Sequence, residues 1–195
     1  MTELVKFVGV FLGLVAFCAS GCVSDNRVRI ESVSGGVADA PTLPVAVYVA
    51  EGENAATIYM TDLDSVALDP GTDLSKVSGR IVQVRMFLTP SAGNTPMGRT
   101  ACSATVRHIV LAGSNIGVYS GGGFLRPSEH IGAARVGGSI EGATMRLTGS
   151  SGAFSDRLGA SVLNGKFNAL RDEGMARRIG ARVDDVLLLI GKSAK

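Results

Sequence analysis

The sequence predicts an α+β domain, an antiparallel meander sheet covered by a C-terminal amphipathic helix. Three observations predict it. Short β-branched segments with period-two alternation recur between Leu43 and Gly149, separated by turn residues rather than by helical stretches. Near the end the period changes, and Met175, Ile179, Val183, Val186, Leu187 and Ile190 fall on one stripe of a helix. No motif repeats at the roughly 20–50-residue spacing of solenoids and propellers.

Taken in chain order, VRIESV (28–33) alternates but lies in a polar, Gly/Ala/Ser-rich stretch over residues 23–43. PVAVYVAE (44–51) and ATIYMTDL (56–63) read as strands, broken by Gly52-Glu53-Asn54. Asp69-Pro70-Gly71 marks a turn. RIVQVRMFL (80–88) places Val82, Val84, Met86 and Leu88 on one face and Gln83 and Arg85 on the other. A loop with two Pro and two Gly, TPSAGNTPMGRT (89–100), leads into ACSATVRHIVLA (101–112), whose Ala104, Val106, His108 and Val110 share a face. Gly113-Ser114-Asn115 turns the chain back into IGVYSGGGFL (116–125), and ARVGGSIEGATMRLTG (134–149) supplies one or two more strands. Five to seven strands are expected in all. For residues 153–170 a short helix capped by Ser155 and ending at Asn164-Gly165 competes with a hairpin turned by that same Asn-Gly; the helix is preferred. Asp172 is placed to cap the last helix and Gly191 to end it.

A chain of 195 residues with 46% hydrophobic and 18% charged side chains holds one ordinary core and is not disordered throughout. A net charge of +2, no Trp, three Tyr and seven Phe argue against a nucleic-acid partner, which needs basic stripes and stacking platforms.

The amino-terminal segment is the most specific part. Lys6 precedes an apolar run, FVGVFLGLVAF (7–17), followed by Ala19-Ser20-Gly21. This is the layout of a secretory signal peptide, and the run falls short of the roughly 20 residues a membrane-spanning helix needs. Ala19-Ser20-Gly21-Cys22 resembles the lipobox of bacterial lipoproteins. The resemblance implies cleavage before Cys22 and a lipid thioether on its sulfur. Small residues precede Cys22, whereas bulky Phe17 precedes Cys18. An ordinary signal peptide cut near Gly21 is the alternative. The implied organisation is a signal peptide over 1–21, a tether over 22–43 and a single globular domain over 44–195. Val23 rather than Asp after the cysteine resembles the outer-membrane pattern, facing the periplasm, if the cell is Gram-negative; under the ordinary-signal-peptide alternative the protein is secreted and soluble. With Cys22 acylated, Cys102 has no intramolecular disulfide partner, so the core alone stabilises the domain.

No residue pattern calls for a catalytic set, a metal or a cofactor. His108 reads as a buried, hydrogen-bonded core histidine rather than a base. Cys102 and His108 sit six residues apart, about 20 Å along one extended strand, too far to act as nucleophile and base. A convergence of Cys102, His108 and Glu129 on zinc is not demanded by their spacing, and His130 reads as a loop residue. The glycines at 121–123 and in GSSG (149–152) read as turns and bulges rather than phosphate loops. Arg85, Arg107 and Arg146 fall on the polar face of three expected strands and are candidates for an anionic-partner patch. The expectation is therefore a lipid-anchored, non-enzymatic envelope protein binding another envelope protein or polymer. One alternative is a small-ligand module with a pocket at His108, Tyr119 and the 89–100 loop. A more distant one is an envelope enzyme of unfamiliar type.

Overall fold

The computed structural model describes residues 26–90 and 102–193. It is an α+β fold in which a nine-stranded sheet carries one C-terminal helix. The strands are β1 (Arg27–Ser32), β2 (Ala38–Asp39), β3 (Val45–Ala50), β4 (Ala56–Thr61), β5 (Ser78–Met86), β6 (Ala104–Ala112), β7 (Asn115–Pro127), β8 (Arg135–Ser151) and β9 (Ser161–Arg171). Helix α1 spans Glu173–Ser193. From β3 to β9 each strand pairs antiparallel with the next, as a meander should, except across the gap between β9 and β3. There β9 meets β3 in a two-pair parallel contact, Val47 with Leu170 and Tyr48 with Arg171. The ladder therefore returns on itself, and β3–β9 form a closed barrel.

Closure gives the sheet two buried faces where the sequence implied one. Inward positions such as Ile58, Met60, Val82, Val84, Met86, Val106, Tyr119, Leu125, Ile140, Leu163 and Phe167 fill the barrel. Outward positions on β3–β7, including Val47, Tyr59, Ile81, Ile109 and Val118, form a second core beneath α1. The helix contributes Ala176, Ile179, Val183 and Val186, and burial of each of the three branched chains is worth roughly 1.5–3 kcal/mol. Asp172 caps α1 as its sequence position suggested, its Oδ1 accepting from Met175 N at 2.9 Å. Gly191 does not end it: the helix runs on to Ser193. The 62–77 segment closes the other flank of α1 with Leu63, Leu68, Leu74 and Val77. The buried guanidinium of Arg182 fixes it there, donating to the carbonyls of Thr72 and Asp69.

Two stretches differ from the sequence reading. Residues 161–171 form β9, neither helix nor hairpin, and Asn164-Gly165 lies inside that strand. Asn164 Oδ1 accepts from Gly142 N at 2.8 Å, across the bulge where Gly142 adopts φ +58° between Ile140 and Ala143. The Asn-Gly pair thus serves a bulge in the neighbouring strand, and local turn chemistry gave way to tertiary pairing. The second stretch is 27–43, read from composition as tether. Here β1 pairs with β9 over six residues, and Val28, Ile30 and Leu43 are buried in the barrel core.

The seam has one further component. β1 pairs with β9 up to Lys166, and β3 takes over at Leu170. Between them Asn26 bridges with its side chain: Asn168 N donates to its Oδ1 at 2.9 Å, and its Nδ2 donates to Leu43 O at 3.2 Å. Asn26 is buried, so truncation leaves two backbone groups without partners. Asn26→Ala should destabilise the fold by about 2–4 kcal/mol, read as a lower urea midpoint by circular dichroism.

Candidate functional site

The polar groups inside the barrel gather at one end. Arg80 and Val110 are a cross-strand pair on β5 and β6, and His108 and Tyr119 are a pair on β6 and β7, one pleat deeper. All four project inward, because Ile81, Ile109 and Val118 take the outward positions under α1. Gly117 leaves an inward gap. A Cβ there would collide with the Phe154 ring, which fills the space from the 152–160 loop.

Arg80, Val110, Tyr119 and Phe154 line a cavity of about 310 Å³ together with Val37, Asp39, Arg157 and Leu158. Tyr119 and Phe154 make an edge-to-face pair with centroids 6.3 Å apart. The Tyr119 hydroxyl donates to Asp156 Oδ1 at 2.7 Å. Burial, then that hydrogen bond and the carboxylate's charge, push the Tyr119 pKa up. Burial acts to raise the Asp156 pKa, but hydrogen bonds from Tyr119, Gly159 N and Leu158 N outweigh it, and the pKa is lowered. Arg80 lies at the mouth, its Nε 3.1 Å from Asp39 Oδ2. Arg80 and Asp39 are therefore paired in place, and Ser155 and Arg157 line the cavity beside the aromatic wall of Tyr119 and Phe154.

His108 lies behind this lining, packed against Tyr119. Its ring stacks on Tyr119 with centroids 6.0 Å apart and planes at 24°. It is fully buried, as expected, but neither ring nitrogen has a hydrogen-bond partner among the described residues. Burial first and the Arg80 charge second lower its pKa from 6.5 to about 3. At neutral pH the imidazole is uncharged, with one donor and one acceptor available.

The other sequence candidates are dispersed. Cys102 is exposed, with its Sγ beside Gly122 and 3.1 Å from Ala104 O, outside the barrel that holds His108. Glu129 turns to Ser128 Oγ and Gly137 N, and His130 is an exposed loop residue. Among the described residues no three His, Cys, Asp or Glu side chains assemble as metal ligands. Arg85, Arg107 and Arg146 share the outer surface of β5, β6 and β8. Arg107 and Arg146 stand in one cross-strand row on either side of Ser120, and Arg85 is offset by one pleat. Arg85 pairs with Glu51 at 3.0 Å, and Arg107 donates to Gln83 Oε1 at 2.6 Å. Cys22 and residues 91–100 of the 89–100 loop lie outside the described residues. Sequence reasoning missed Arg80, Asp156 and Phe154. Arg80 opens the RIVQVRMFL alternation on the same parity as Val82 and Val84, the one signal that could have placed it inside.

Comparison with family models, with curated proteins and with solved structures finds no match to this chain.

The depressed His108 pKa gives a signed prediction. The unfolded chain protonates this histidine below pH 6.5, whereas the folded state does so only near pH 3. Its contribution is complete above pH 6.5 and is lost as pH falls toward 3, by up to about 1.4 kcal/mol per unit. His108→Leu should remove that slope. The stability difference between variant and wild type, measured by urea unfolding from pH 7 to pH 4, should shift toward the variant as pH falls.

Proposed function

We propose that this chain is a lipid-anchored cell-envelope protein whose barrel is a non-catalytic module for a small, largely apolar ligand. The cavity bounded by Arg80, Val110, Tyr119 and Phe154, with the unpartnered His108 stacked behind Tyr119, carries this reading. A buried polar group without partners costs free energy, and His108 next to the Tyr119 wall is such a group. The Tyr119 and Phe154 rings suit an apolar body, and the polar side chains beside them, Arg157 among them, suit a polar function carried on it. The lipid anchor rests on Ala19-Ser20-Gly21-Cys22 and the short apolar run before it. Among the described residues no helix is long and apolar enough to cross a membrane.

A thermal-shift screen of small aromatic and aliphatic alcohols, amides and acids tests the module. A ligand at a hundredfold excess over its Kd should raise the melting temperature by about 5 °C or more. The shift should vanish in Val110→Phe, which fills the cavity, while circular dichroism shows that variant folded. A screen in which nothing shifts the wild type would sink the small-ligand reading.

A second reading places an anionic envelope protein or polymer on the outer surface. Its support is the row that holds Arg107 and Arg146 about 10 Å apart, with no carboxylate paired to either among the described residues. Arg107→Ser with Arg146→Ser should weaken retention of the folded protein on an anionic polysaccharide resin at low salt. Unchanged retention would exclude it.

A further inference from the structure

The seam that closes the barrel also fixes where any anchor must leave it. Asn26 is buried and bonded to both Asn168 and Leu43, so it is held in the wall. Only Val23, Ser24 and Asp25 separate it from Cys22. Four residue steps span at most roughly 14 Å even when fully extended. The composition suggested a leash of some twenty residues; the fold takes up all but the first few.

The wall around this exit carries its own charge pattern. Arg27 on β1 is the register partner of Lys166 on β9, Lys166 that of Ser139 on β8, and Ser139 that of Arg126 on β7. One cross-strand row thus reads Arg27, Lys166, Ser139, Arg126. A broad groove of about 770 Å³ lies along it, lined by Arg126, Glu129, Ser139, Lys166 and Asn168. The nearby acids are Glu129, bonded to Gly137 N, Glu141, 3.5 Å from Arg126, and Glu31, paired with Arg29. Leu170 adds an exposed apolar side chain on the same strand.

We propose that this β1–β9–β8 wall lies flat on the membrane leaflet, held there by the short link to an acylated Cys22, with anionic lipid headgroups seated between Lys166 and Arg126. The proposal rests on the lipid-anchor reading. Basic side chains beside an anchor add electrostatic attraction to anionic lipid, and a lipid chain together with a basic patch holds better than either alone. In ring order β5 and β6 lie across the barrel from β9, so the surface of Arg85 and Arg107 faces away from the leaflet.

The test uses the full chain purified from membranes in detergent and reconstituted into vesicles, either of phosphatidylcholine alone or with phosphatidylglycerol. Amine-acylation footprinting compares Lys166 with Lys76 and Lys192, which lie on the 62–77 segment and in the last turn of α1. Lys166 should label at least fivefold more slowly in vesicles than in detergent, and most slowly with phosphatidylglycerol present, while Lys76 and Lys192 change little. Equal protection in both vesicle types would overturn the headgroup contact, and no selective protection of Lys166 would overturn the proposed orientation. The intact mass of the same preparation, beside Cys22→Ser, separates the two levels. Unacylated Cys22 in a soluble chain removes the anchor itself. An acylated Cys22 with freely labelled Lys166 leaves the anchor and rejects only the orientation.

Discussion

Strand β9 does three jobs at once, and the rest of the structure depends on them. One edge of it pairs with β8 along most of its length; the other is divided between β1 and β3. The division leaves a gap in the ladder, and the side chain of Asn26 fills it with a donor and an acceptor of its own. Without β9 the meander from β3 to β8 would be an open sheet with two unpaired edges. With it the sheet has an inside. Every property of the interior, including its polar end, follows from that closure.

The interior is an apolar barrel with one concession to polarity. Tyr119 and Asp156 form a hydrogen-bonded pair at the mouth and Arg80 an ion pair with Asp39, while His108 behind Tyr119 is enclosed with neither nitrogen bonded. A core selected for stability alone would favour an aliphatic residue at that position. Tyr119 ties the two levels together, since its ring stacks on His108 and its hydroxyl holds the 152–160 loop through Asp156. The loop in turn carries Phe154 into the space that Gly117 leaves open.

Much of the fold was legible in residue patterns. Period-two alternation located β3 to β8, because each has an inward set of aliphatics whose parity is kept by the pleat. The period change located α1 and Asp172 gave its start. Closure was not legible, because nothing in the strand from Ser161 to Arg171 announces three partners. Its Asn164-Gly165 carries a strong local turn signal that the tertiary pairing overrides. Residues 27–43 misled for a related reason: their composition is polar, but Val28, Ile30 and Leu43 alone suffice to seat them. Of the site, His108 and Tyr119 stood out as residues; Phe154 and Asp156 did not, since loop residues acquire neighbours only through the fold. Gly191 shows the same limit at a helix end, where packing of Ile190 against Gly149 carries α1 past a residue that often stops one.

The order of the strands along the chain also bears on how the molecule assembles. The first strand and the third both await the ninth, so the closing contacts join residues more than 100 positions apart, as between Asn26 and Asn168. Such pairings are entropically late. A chain emerging amino terminus first exposes β1 and both edges of the β3–β8 meander until residue 171 is free. During that interval the hazard is edge-to-edge association rather than loss of the finished fold. The vulnerability of this protein is therefore kinetic, concentrated in the time between synthesis of β3 and docking of β9.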